Sequence, residues 1–354
     1  MAAFPEPAGN LGELEGYHSP QVDVDVRLNT NESPYPPPRE WVGELVAELE
    51  RTQFHRYPDR AARALREALA ELHGVRADQV FAANGSNEVL QTLFLTYGGP
   101  GRACAVFEPT YAMHSQIGHQ TFTGVAVGQR AEDFTLDVTE VKRVLGDAQP
   151  SITFLCSPNN PTGRGEPRAV VEEVMRLAPG LMVVDEAYAQ FSSWTALELV
   201  SDDVPLVVTR TYSKTWSMAG SRLGYLVGPA SVVSELEKRV LPYHLDAVKQ
   251  VAGRLALRHT AEMEERVAAL VAERERLQGE LAAMAVETWP SEANFVLFRP
   301  LDRTGDEVWQ ALVDRGVLVR NCSSWPRLGD CLRVTVGTRA EDDRFLAALR
   351  EVLA

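Results

Sequence analysis

Apolar residues recur at helical spacing from Glu40 to Glu50 and again from Ala61 to Leu72, and Arg56-Tyr57-Pro58-Asp59 breaks the two runs. Beyond them the pattern changes. Short, uninterrupted apolar runs at Ala103–Phe107, Ile152–Cys156, Leu181–Asp185, Leu206–Arg210 and Leu223–Val227 alternate with helical segments. A strand without polar alternation is buried on both faces, so these runs predict a mostly parallel sheet covered by helices. A long helical run is expected from Tyr243 to Ala285, with Glu273-Arg274-Glu275-Arg276 on a solvated face. From Val286 onward, strands at Asn294–Phe298, Val317–Val319 and Leu332–Val336 alternate with helices at Asp306–Arg315 and Glu341–Val352, as in a smaller α+β domain. Residues 1 to about 38, rich in Pro, Gly and Asn, read as an extended arm. The expected division is an arm with part of the small domain over 1–50, a large domain over 51–260 and the small domain over 261–354.

Composition agrees with this picture. At 354 residues and 45% apolar content the chain can bury a core large enough for two domains. A net charge of −14 argues against nonspecific binding to nucleic acid or to an anionic membrane. It leaves anionic small molecules open, because a local arginine pocket outweighs the global sign at short range. Cys104, Cys156, Cys322 and Cys331 have neither metal-ligand spacing nor a CxxC pair, which suits free thiols in a reducing compartment. With no signal-peptide pattern and no run of 18 apolar residues, a cytoplasmic protein is expected.

In helix-covered parallel sheets, ligands bind outside the carboxyl ends of the strands, and here the polar residues collect at those ends. Ile152–Cys156 runs into Ser157-Pro158-Asn159-Asn160-Pro161-Thr162-Gly163, and Leu181–Val184 into Asp185-Glu186-Ala187-Tyr188. Leu206–Thr209 runs into Arg210-Thr211-Tyr212-Ser213-Lys214, with Arg222 eight residues after the lysine. Singly, each has a plain reading: a Pro/Asn/Gly turn, a helix cap, a solvated lysine. Their order on successive strand ends points to one site.

This set resembles the fold-type I pyridoxal-phosphate (PLP) enzymes, specifically class I/II aminotransferases, over about Leu28 to Val336. The resemblance implies an α/β fold in which a large domain with a mostly parallel seven-stranded sheet binds PLP and a smaller α+β domain follows. It assigns Lys214 the Schiff base with the cofactor aldehyde, chemistry that needs an amine of lowered pKa. It assigns Asp185 the pairing with the ring nitrogen, and Asn160 and Tyr188 the ring oxygen. Gly85-Ser86-Asn87-Glu88 opens a helical run to Tyr97, with Ser86 expected as its cap, and supplies a helix N-terminus for the phosphate. Thr211, Ser213 and Arg222 add hydroxyls and a cation, and Tyr111 matches the aromatic that stacks on the ring.

Further segments are similar to histidinol-phosphate aminotransferases. Leu28-Asn29-Thr30-Asn31-Glu32-Ser33-Pro34 matches their LNxNE(N/S)P arm, which places Asn31 at the substrate. Arg56-Tyr57-Pro58-Asp59 matches an RYPD loop whose tyrosine reaches the cofactor phosphate of the neighbouring subunit, implying a homodimer with shared active sites. Tyr17 stands at a substrate-phosphate tyrosine, and Arg320 and Arg333 lie in two arginine segments. The chain departs from that pattern at Ser19-Pro20-Gln21, where many members carry PGK, and at Asn321-Cys322-Ser323-Ser324-Trp325-Pro326, which is wider and more aromatic. Trp216 stands where a smaller aromatic is common. The implied reaction is amino transfer from L-histidinol phosphate to 2-oxoglutarate, a step of histidine biosynthesis. An aromatic amino acid aminotransferase or a PLP-dependent decarboxylase of a phosphorylated amino acid would share every cofactor residue. A ligand-sensing module of a transcription regulator would need a DNA-binding domain upstream of the arm, where about 28 residues stand. A nicotinamide-binding protein would need a GxGxxG after the first strand.

Overall fold

The computed structural model describes residue 4 and residues 22–354; Tyr17 lies outside the described residues. Twelve strands occur among them: β1 (Val26–Leu28), β2 (Val80–Ala83), β3 (Ala103–Glu108), β4 (Gly124–Gln129), β5 (Ile152–Cys156), β6 (Leu181–Asp185), β7 (Leu206–Thr211), β8 (Gly224–Val227), β9 (Val286–Thr288), β10 (Phe295–Pro300), β11 (Val317–Asn321) and β12 (Leu332–Thr335).

Seven strands form the large sheet in the order β2-β8-β7-β6-β5-β3-β4. Neighbours from β7 to β4 run parallel, and β8 alone runs against both of its neighbours. The two-residue period of the strands divides the apolar side chains between two helix layers. Val106, Phe154, Val183 and Val207 point to a cluster with Val89, Leu90, Leu93 and Phe94 of the helix Ser86–Tyr97. Phe107, Leu155, Met182, Val184 and Val208 point to the opposite cluster, with Val141, Val144, Leu145, Val171 and Val174. The continuous apolar runs are therefore buried on both sides, as their composition requires.

The second sheet has five strands in the order β1-β11-β12-β10-β9. Only the β1–β11 pair is parallel. The extended arm thus supplies an edge strand, Val26 pairing with Val317 and Leu28 with Val319, which carries Asn29 to Ser33 toward the large sheet.

Three expectations are corrected. The run from Tyr243 to Ala285 is not continuous: helices Ala247–Ala256 and Thr260–Ala282 flank a tight turn at Leu257–His259. The Glu273–Arg276 repeat is not wholly solvated, because Arg274 is buried. It lies at helical spacing from Leu270, Leu277 and Leu281, on the core-facing stripe. Its Nη1 donates to Phe191 O and Ala293 O, so a charged head enters the interior with carbonyl partners. Ser86 is the first helical residue rather than the cap; Gly85 holds the cap position at φ 83°.

Candidate active site

Strands β5, β6 and β7 end side by side, with Cys156 opposite Asp185 and Asp185 opposite Thr209. The residues that follow each strand converge on one cavity. It is lined by Lys214, Asp185, Tyr188, Asn160, Tyr111, Ser86, Asn87, Thr211, Ser213 and Arg222 from the large sheet and its helices, and by Asn31, Arg320 and Arg333 from the arm and second sheet. Tyr57 is not among them. It is 80% exposed and stacks on Tyr243, ring centroids 4.4 Å apart.

Alternation at the end of β6 separates two neighbouring carboxylates. Asp185 faces the cavity, where its Oδ2 accepts from His114 Nε2 (3.1 Å) and its Oδ1 from the Ala187 amide (3.2 Å). Glu186 is buried elsewhere, accepting from Arg210 Nη2 (2.8 Å) and Thr195 Oγ1 (2.7 Å), which anchors the chain just before Tyr188. His114 is fully buried, stacks on Phe154 at 4.7 Å and meets Tyr111 edge-on at 5.5 Å. Sequence reasoning missed it. The signal was its spacing from Ile117 and Gly118, which puts His114 on the buried face of the helix Met113–Gln120.

Lys214 Nζ donates to Thr30 O (3.1 Å) and lies 5.7 Å from the Tyr188 ring centroid. Burial, with Arg333 and Arg222 as further positive neighbours, pulls its ammonium down from 10.5 to about 7. The Tyr188 hydroxyl accepts from Asn31 Nδ2 (3.0 Å) and Asn160 Nδ2 (3.5 Å), and burial pushes its own ionisation up to about 12. Asn31, 1% exposed, also accepts from Thr335 Oγ1 (3.1 Å). Its side chain is committed to holding the phenol and the second sheet together.

In the same cavity the hydroxyls of Thr211 and Ser213 lie 3.0 Å apart, and Arg222 Nη1 donates to Ser213 Oγ (3.2 Å). A Cβ on Gly85 would come within 2.9 Å of Arg222 Nη2, and one on Gly224 within 2.3 Å of the Ser86 nitrogen. Glycine at both places lets the guanidinium and β8 close on the N-terminus of the helix Ser86–Tyr97, where first-turn amides and the helix dipole favour an anion. A phosphate cradle, a lysine amine of lowered pKa and a buried carboxylate lining one cavity fit the pyridoxal phosphate that the resemblance implies. No group of three or more His, Cys, Asp or Glu that could hold a metal ion occurs among the described residues.

Across the cavity, Arg320 of β11 and Arg333 of β12 are directly opposite each other in the antiparallel ladder. Arg333 donates to Asn160 Oδ1 and Asn29 O, tying the second sheet to the SPNNPTG turn.

Such a fold and such a strand-end lysine belong to one class: residues 23–349 match the model for aminotransferase class I and II, and the chain is a member of that family. It is similar to the histidinol-phosphate aminotransferase of Frankia casuarinae, 46% identical over 97% of this chain and 89% of that protein. The histidinol-phosphate aminotransferase of Mycolicibacterium smegmatis is 43% identical over 97% of this chain and 92% of its own length. Among solved structures, that of histidinol-phosphate aminotransferase from Sinorhizobium meliloti in complex with pyridoxal-5'-phosphate superposes with a TM-score of 0.84. It covers 93% of this chain and 91% of that one at 21% identity, a likeness of fold.

Proposed function

We propose that the protein catalyses reversible amino transfer from L-histidinol phosphate to 2-oxoglutarate, giving imidazole acetol phosphate and glutamate, with pyridoxal phosphate as cofactor. The observation that carries this reading is the in-register pair Arg320 and Arg333, facing the same cavity as Lys214. The names of the relatives at 43–46% identity favour it over the aromatic aminotransferase and decarboxylase alternatives.

Bound pyridoxal phosphate supplies an aldehyde for the amino group and an electron-accepting ring. Thr211, Ser213, Arg222 and the amides at Ser86 and Asn87 hold its phosphate, and Tyr111 stacks on the ring. Asp185, kept in place by His114 and the Ala187 amide, holds a proton on the ring nitrogen. Tyr188 and Asn160 donate to the ring oxygen. The Lys214 amine, partly neutral near pH 7, would accept the proton of the substrate Cα, which a lysine at its ordinary pKa would do poorly.

Arg333 receives the anionic group of either substrate, since a guanidinium fork suits carboxylate and phosphate alike. A phosphate monoester brings up to two charges and three acceptor oxygens, so Arg320 and Tyr17 complete the set for histidinol phosphate. Arg333→Ala should therefore cut kcat/KM for both glutamate and histidinol phosphate, by about 1.5–3 kcal/mol or roughly ten- to a hundred-fold. Arg320→Ala should cost histidinol phosphate roughly ten-fold more than it costs glutamate. Steady-state kinetics of the two half-reactions measure the difference, and equal losses in Arg320→Ala would remove the case for a phosphate pocket.

We also propose a cytoplasmic homodimer in which Tyr57 reaches the cofactor phosphate of the other subunit. Four buried free thiols suit a reducing compartment, and no helix of the described residues is long and apolar enough to cross a membrane. Phe54, Tyr57 and Leu241 are all more than 60% exposed, the kind of surface a second copy covers. Mixed subunits carrying Tyr57→Ala and Lys214→Ala, each inactive alone, should regain activity, because one site of each heterodimer then has both native residues. Verified subunit exchange without any recovery would contradict a shared site.

A further inference from the structure

We infer that Trp325, on the aromatic loop after β11, is a positioning residue that acts through Arg320 and sets the enzyme's preference for a phosphorylated substrate; this rests on the reading of Arg320 as a phosphate ligand. The two arginines of the cavity face each other across a ladder, a placement in which like charges repel. Each guanidinium is seated on an aromatic face: Arg333 lies 5.1 Å from the Phe295 ring centroid and Arg320 lies 5.2 Å from that of Trp325. A guanidinium resting on an indole is attracted to the ring face, which fixes the plane in which its N–H groups point. Phe295 is a fully buried strand residue. Trp325 comes instead from a turn, and the chain builds that turn firmly.

The Trp325 amide donates to Cys322 O (2.9 Å), the Leu328 amide to Trp325 O (3.1 Å) and the Cys331 amide to Leu328 O (2.9 Å). Cys322, Leu328 and Cys331 are buried with Phe134, Trp289 and Leu297, and Trp325 packs on that cluster. Arg327 Nη1 donates to Arg130 O, tying the turn to the end of β4. The indole is thus held from behind while one part of it borders the cavity with Arg320 and Arg333. Among aromatic side chains tryptophan attracts a cation most strongly. Its loss would remove the aromatic seat under Arg320, weakening the contact that phosphate needs and a lone carboxylate on Arg333 does not.

The test uses the holoenzyme with Trp325→Leu, Trp325→Phe and Arg320→Gln, alone and combined, assayed with histidinol phosphate and with glutamate. Trp325→Leu should raise KM for histidinol phosphate roughly five- to ten-fold while changing kcat and the glutamate KM less than about two-fold. Trp325→Phe should recover most of that loss. In an Arg320→Gln background Trp325→Leu should have almost no further effect, because the two act as one unit. Should Trp325→Leu fold poorly, Trp325→Phe against wild type and inhibition by inorganic phosphate, weakened in Trp325→Phe only while Arg320 is present, carry the same comparison. Equal losses for Leu and Phe, a loss shared by both substrates, or an undiminished loss without Arg320 would overturn the inference. Selective damage in Arg320→Gln with a silent Trp325→Leu would overturn it and leave the proposed function standing. An Arg320→Gln variant that affects both substrates alike would overturn both.

Discussion

Lys214→Ala should abolish transamination, with kcat reduced by at least roughly three to four orders of magnitude, the upper range of a positioned proton-transfer group. The residue lies three positions beyond the end of β7 and is the one lysine among the described side chains lining the cavity. Its amine is buried beside Arg333 and Arg222, and that surrounding, not a catalytic base, lowers its pKa to about 7. The variant should still bind cofactor, since the cradle of Thr211, Ser213 and Arg222 is untouched. The pH dependence follows from the same shift. Only the neutral amine reacts with an aldehyde, so capture of pyridoxal phosphate by the unloaded protein should slow about ten-fold per pH unit below about 7 and level off above it. Stopped-flow absorbance measures that profile, and borohydride treatment followed by peptide mapping should find the cofactor on Lys214. Full activity in Lys214→Ala would sink the whole mechanism.

Asp185→Asn carries the second-largest expected effect. The carboxylate is 2% exposed and accepts from His114 and the Ala187 amide, so a protonated ring nitrogen completes its set of partners. An amide matches the shape without the charge. Breaking a buried charged pair from one side costs about 3–5 kcal/mol, and at about 1.4 kcal/mol per factor of ten kcat should fall by roughly 10²–10³ or more. The loss should appear in single-turnover reaction with glutamate, while the KM for either amino donor changes little. His114→Phe keeps the stack on Phe154 but removes the donor to Asp185, and should cost roughly ten-fold in the same step. An Asp185→Asn enzyme within ten-fold of wild type would show that the ring nitrogen has another partner.

Much of this site is legible in the sequence. Ile152–Cys156 and Leu181–Asp185 are strands over the residues that their continuous apolar runs mark, because only strands buried on both faces tolerate such runs. The polar residues after them then had one place to go. Strands Val80–Ala83 and Gly124–Gln129 were not seen: the first is only four residues long, and the second is an edge strand with a half-exposed, Gly-containing pattern. Tertiary pairing, rather than propensity, makes them strands. The same holds for Val26–Leu28, which becomes a strand only through β11. His114 and Arg274 escaped for a different reason. Both are polar residues on core-facing helical stripes, and partners distant in sequence meet one nitrogen of each: Asp185 the Nε2 of His114, and the carbonyls of Phe191 and Ala293 the Nη1 of Arg274. Tyr57 shows the reverse case: a motif residue that is 80% exposed in its own subunit.

The reading of this protein as a histidinol-phosphate aminotransferase is tested most directly by steady-state kinetics of the purified holoenzyme, with 2-oxoglutarate as acceptor and histidinol phosphate or phenylalanine as donor. Two arginines facing one cavity predict that kcat/KM for histidinol phosphate exceeds that for phenylalanine by roughly ten-fold or more, since one further charge-assisted contact contributes about 1.5–3 kcal/mol. Faster turnover of phenylalanine, or no turnover of histidinol phosphate, would contradict it.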